Sequence, residues 1–135
     1  LSILNSLVEL AKQGNGVGAG HYRLCAMLKI KGYHPFFGWN KKKSHPLQKK
    51  YSKTVESIFL HAEIDVIKNA IREVDTLENA VMYLARVKRD QDKSWTWGLS
   101  HPCKGCLSAI NAFNIPHLIY TTDKIDVYEE LRSGK

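Results

Sequence analysis

The strongest constraint on what this chain can fold into is the alternation of helix-period and strand-period segments along it. Leu60, Ile64, Ile67, Ile71 and Val74 fall in steps of four and three, the spacing of an amphipathic helix with one buried stripe. Ile3, Leu7 and Leu10 predict a second helix near the start, running into the breaker-rich segment Gly14-Asn15-Gly16-Val17-Gly18-Ala19-Gly20. Tyr22–Ile30 and Pro35–Trp39 read as two strands of a hairpin broken at Gly32. Asn40 to Glu56 has no periodicity and reads as a loop. Ala80–Val87 reads as a buried strand, followed by a polar turn and the short stretch Trp95–Leu99. A third helix is expected from Pro102, with Leu107, Ile110 and Phe113 inward and Asn114-Ile115-Pro116 as its stop. His117–Thr121 is a further strand, and Asp123 is expected to cap a short final helix burying Ile125, Tyr128 and Leu131. Helices set between strands call for crossovers on a central sheet. The expected fold is therefore α/β: a three-layer α/β/α sandwich around a mixed sheet of about five strands.

The chain has 135 residues, which suits one domain over residues 1–135 with one substantial core. No apolar run approaches the roughly 20 residues of a spanning helix, so no membrane partner is expected. The start, Leu1 to Ala11, contains Asn5 and Glu9 and is not expected to be a signal peptide. A net charge of +7 points to an anionic partner. The excess is local: Lys41, Lys42, Lys43, Lys49, Lys50 and Lys53 occupy one stretch without an acid, and the rest of the chain carries only +1. Three cysteines are too few for a disulfide framework. Cys25 lies in a predicted buried strand and reads as a small core residue. Cys103 and Cys106 form a C-x-x-C pair, which in a reducing compartment is a metal clamp or a redox centre.

Two short motifs carry chemistry: His61-Ala62-Glu63 and Pro102-Cys103-Lys104-Gly105-Cys106, each at the start of a predicted helix. Two cysteines three apart in a first helical turn can aim both sulfurs at one point. The helix N-terminus also favours the thiolates that zinc requires. His61 supplies a nitrogen as third ligand. Three protein ligands leave one tetrahedral position open, the mark of catalytic rather than structural zinc, and a water there has its pKa lowered toward neutrality. Glu63 sits beside such a metal without ligating it and is the candidate general acid and base. A thioredoxin-like redox pair would be expected early, after the first strand; here the pair comes late, with H-x-E upstream. The order matches the zinc deaminase pattern H-x-E…P-C-x-x-C.

On these residues the chain resembles the cytidine deaminase-like superfamily, of the zinc-dependent CMP/dCMP deaminase type, over nearly its whole length. Gly38-Trp39-Asn40 resembles the Gly-x-Asn segment that precedes H-A-E in deoxycytidylate and tRNA adenosine deaminases. Ile58 to Ile64 matches the helix entry, and Ile115 to Tyr120 the strand after the second motif. The compact chain, with an insertion over 41–57, also resembles small deaminase-like proteins of phages. The resemblance implies Zn²⁺ as cofactor and substrate contacts from Asn40 and Ala62. It further implies a homo-oligomer and a cytoplasmic location, the host cytoplasm if the source is viral. The chain lacks a second Cys/His cluster for an extra zinc, and the long final helix of tRNA adenosine deaminases is absent or short.

The lysine-rich stretch leaves Asn40 and leads into the His61 helix. It reads as a rim that binds a 5′-phosphate or a strand backbone, against the simpler reading of a solvated loop. Lys43, Ser44 and His45 are its candidate binding residues. Trp39, beside Asn40, reads as either a base-stacking or a packing residue. Trp95 and Trp97 alternate onto one face and read as packing. The expected activity is hydrolytic removal of the cytosine amine from a dCMP-like nucleotide or nucleoside. The alternative is a polynucleotide deaminase acting on cytosine or adenine in single-stranded DNA or tRNA. A third reading, a deaminase fold retired to binding, is opposed by the intact Glu63.

Overall fold

The computed structural model describes residues 1–14, 23–42, 45–52 and 60–132. The chain runs α1 (Ser2–Lys12), β1 (Arg23–Lys29), β2 (Phe36–Trp39), α2 (Pro46–Tyr51), α3 (Ala62–Ala70), β3 (Val81–Arg89), β4 (Trp95–Gly98), α4 (Lys104–Ala112), β5 (His117–Thr121) and β6 (Tyr128–Arg132). The strands form one mixed six-stranded sheet in the order β2-β1-β3-β5-β6, with β4 pairing off β3. β1 is antiparallel to both β2 and β3, and β3 is parallel to β5. β2 and β3 therefore point the same way one strand apart, and α3 is the crossover between them. α4 makes the second crossover, into β5. Both crossover helices start at the carboxyl end of the parallel strands, the edge where open α/β sheets bind ligands.

Strand alternation divides the core in two. Ala26, Leu28, Phe36, Met82, Leu84, Leu118 and Tyr120 face the α3–α4 side and meet Ile64, Ile67, Cys106 and Ile110. Cys25, Met27, Ala85, Val87, Trp97 and Ile119 face the opposite side and meet Leu4, Leu7, Val8 and Ala11 of α1. This is the expected three-layer arrangement. Gly38 lets the layers close: a Cβ there would lie 2.8 Å from the Ala62 carbonyl oxygen and still nearer the Val66 nitrogen.

Three expectations are corrected. The final helix is instead the edge strand β6, antiparallel to β5. Asp126 takes a left-handed conformation with φ 64°, which breaks any helix through Ile125 and Tyr128. Asp123 does not cap; its carboxylate accepts from the Leu99 N–H and the Lys88 ammonium. The stretch after Asn40 is not all loop, because α2 forms one and a half turns. His45 caps it by accepting the Leu47 N–H at Nδ1, and Pro46 opens it. The helix expected from Leu60 to Val74 stops at Ala70; Ile71 is exposed, while Val74 returns to the core through a turn. Among the described residues no helix is long and apolar enough to cross a membrane.

Candidate metal centre

His61 is the N-cap residue of α3, yet its ring caps nothing. It turns toward α4, placing Nδ1 3.6 Å from the Cys103 sulfur and 3.3 Å from the Cys106 sulfur. Cys103 is the N-cap residue of α4, and its sulfur accepts the Cys106 N–H. The three ligand atoms lie within 4.8 Å of one another. Tetrahedral zinc, with Zn–S near 2.3 Å and Zn–N near 2.05 Å, holds its nitrogen and sulfur ligands about 3.6 Å apart. The two nitrogen–sulfur distances here match that spacing, so the donor set fits zinc in both chemistry and size.

The surroundings of the two cysteines push their thiols in opposite directions. The hydrogen bond from the Cys106 thiol is the largest influence on Cys103 and, with the His61 ring, pulls it down to about 3. The remaining thiol proton stays on Cys106, which is pushed up by the Cys103 partner and by burial. Zinc displaces that last proton. Cys25 lies apart, in the α1-side core, where burial and the Asp65 carboxylate push it up to about 12. It is an inert thiol, as its place in a buried strand suggested.

Glu63 lies in the first turn of α3 and is buried, with 3% of its surface exposed. Burial pushes its carboxyl above the usual carboxylate range, against the pull of the His61 ring. A protonatable carboxyl thus sits against the three ligands. Ala62, between His61 and Glu63, is fully buried in the α3–α4 core.

Asn40 is brought to the same edge. Lys41 and Leu60 exchange backbone hydrogen bonds of 2.8 and 2.9 Å, an antiparallel bridge that lays Asn40 alongside His61. The Asn40 side-chain oxygen accepts the Leu24 N–H at 2.9 Å, which fixes the carboxamide's orientation. Trp39 is turned away: its indole packs on the α1 side and donates to the Leu10 carbonyl at 3.3 Å. Trp95 and Trp97 lie on that side too, with the Arg23 guanidinium 4.2 Å above the Trp95 ring. All three tryptophans therefore pack rather than face the cluster. The His45 ring is engaged in the α2 cap. Lys43 and Ser44 lie outside the described residues.

Two residues at the centre went unread in the sequence. Asp65, fully buried, accepts the Trp39 N–H at 3.0 Å and pairs with Lys41 at 3.2 Å and Lys68 at 3.1 Å. It ties the end of β2 to α3. Its spacing to Lys68 was visible, but read alone it suggests a surface pair. Gln48 of α2 is also fully buried, and its Oε1 accepts the His61 N–H at 2.9 Å. A glutamine in a lysine-rich stretch carries no sequence signal of burial.

The family model for the cytidine and deoxycytidylate deaminase zinc-binding region matches residues 3–122. Among solved structures, cytidine deaminase from Burkholderia pseudomallei is similar with a TM-score of 0.66 at 13% identity, covering 97% of this chain and 91% of that one. Cytidine deaminase from Mycobacterium leprae gives 0.54 at 14% identity, covering 96% and 91%. That from Mycobacterium tuberculosis gives 0.52 at 16% identity, covering 90% and 88%. At these identities the structures speak for the fold. No curated protein matches the chain.

Proposed function

Because this chain belongs to the cytidine and deoxycytidylate deaminase family, we propose that it hydrolyses the exocyclic amine of a cytosine nucleotide of the dCMP type, giving the uracil product and ammonia. The observation that carries the reading is the buried Glu63 carboxyl set against three convergent zinc-ligand atoms. His61, Cys103 and Cys106 would hold the zinc, which when bound would supply the polarisation that readies a water to attack C4 of the base. Glu63 takes a proton from the water and delivers it to the ring nitrogen N3, then takes the second from the new C4 hydroxyl and delivers it to the amine as the C4–N bond breaks, and so ends the cycle ready to accept again. The upward push of burial on its carboxyl suits a group that must both accept and return a proton.

Asn40, with its oxygen fixed by Leu24, presents its carboxamide to the sugar or base, and the Ala62 backbone lines the pocket beside it. Lys43, Ser44 and His45 receive the phosphate, a reading supported by the exposed Lys49 and Lys50 of α2. The whole chain acts as a single deaminase domain in the cytoplasm and as a homo-oligomer. The exposed apolar side chains Ile125, Val127, Tyr128 and Leu131 support self-association.

Ammonia release from zinc-loaded protein is measured with cytidine, CMP, dCMP, dCTP and short single-stranded DNA and RNA. Turnover of dCMP above the others is expected. Turnover of oligonucleotides alone, weakening steeply with salt, would replace the nucleotide reading with the polynucleotide one.

A further inference from the structure

Helix α3 begins in an unusual way. The N–H of an N-cap residue is one of the orphan donors of a helix start, commonly satisfied by a Glu or Gln three residues on. In α3 that third position is the apolar Ile64, and the His61 ring is committed to the cysteine sulfurs. Neither half of a capping box is present. The missing acceptor comes from another element: Gln48 of α2 reaches the His61 N–H with its Oε1 at 2.9 Å. Its Nε2 donates to Ser52 Oγ at 2.8 Å, which itself lies against Gly105 of α4. Gln48 is fully buried, so each of these bonds forms away from competing water and is costly to lose.

α2 is held in place from the other side by Gly105, the residue before the second cysteine. A Cβ on Gly105 would lie 2.8 Å from the Tyr51 carbonyl oxygen and closer still to Ser52 Oγ. The end of α2 is thus pressed onto the first turn of α4, while its middle grips the N-cap of α3. Leu47 and Tyr51 anchor it in the same core as the two crossover helices. One short helix from the insertion touches both ligand-bearing helix starts.

We propose that Gln48 is a positioning residue of the metal centre, fixing the His61 backbone directly and the first turn of α4 through Ser52, so that the ligand atoms on both helices are set before the ion arrives. This rests on the zinc reading of the site and assigns the insertion a role distinct from the phosphate rim. Partners behind metal ligands typically contribute 10- to 100-fold in affinity.

The test uses zinc alone, with no nucleotide. Gln48→Met keeps length and volume but removes both polar ends. Its zinc affinity, measured against a chromophoric chelator, is expected to fall about 10- to 100-fold. The sulfur-to-metal charge-transfer band of the Co²⁺-substituted protein is expected to shift. Wild-type affinity with an unchanged Co²⁺ spectrum would overturn the proposal. If Gln48→Met does not fold, Ser52→Ala decides the matter by the same two readouts. It removes the partner that orients the Gln48 amide, so weakened zinc binding and a shifted band support the role, and wild-type values overturn it. Failure of the wild-type chain to take up stoichiometric zinc is a separate result, which overturns the metal centre itself. Loss of dCMP turnover with zinc affinity intact would instead bear on the substrate reading.

Discussion

At the scale of single residues, the prediction is that Glu63→Gln separates chemistry from metal binding. Glu63 is not one of the three convergent ligands, so the variant should keep stoichiometric zinc while kcat falls about 10²- to 10⁴-fold. Metal analysis beside turnover checks it; parallel loss of both would make Glu63 a structural residue. The His61, Cys103 and Cys106 cluster was legible because metal chemistry dictates both residue type and spacing. Gln48 and Asp65 were not, because their roles arise from burial that no local pattern encodes. Trp39 shows the reverse error. An aromatic beside Asn40 invites a base-stacking role, but β2 alternates, so Phe36 and Gly38 face α3 while Trp39 faces α1.

Among the elements, the end of α4 was read correctly and can be tested directly. Asn114 has a φ of 59°, and the Ile115 N–H returns to the Ile110 carbonyl at 3.1 Å, the six-to-one bond of a left-handed helix stop. Asn114→Val should cost about 1–2 kcal/mol, the penalty of forcing a branched side chain into that region. Asn114→Gly should stay within about 0.5 kcal/mol of wild type. Urea unfolding at constant m-value distinguishes them, and equal effects would contradict the assignment. The elements that were misread are short or at the edge. α2 has only six residues, too few for periodicity to register. β6 carries Tyr128 and Leu131 three apart, a helical spacing, but the unpaired edge of β5 offers backbone partners and Asp126 blocks the helix.

For the molecule as a whole, the +7 charge is less free than the sequence implied. Lys41 is held against the buried Asp65, while Lys49 and Lys50 of α2 are exposed. Zinc should also be a main support of stability. With free zinc at about 1,000 times Kd, binding adds about 4 kcal/mol, so chelation should lower Tm on the order of 10–20 °C. Calorimetry with and without chelator measures it; an unchanged Tm would mean that the cluster holds no ion. The ligands also lie far apart along the chain, His61 being 42 residues from Cys103. Between them run β3, the central strand of the sheet, and β4. An ion bound across that interval acts as a removable cross-link closing a long loop, with the entropic leverage of such closures.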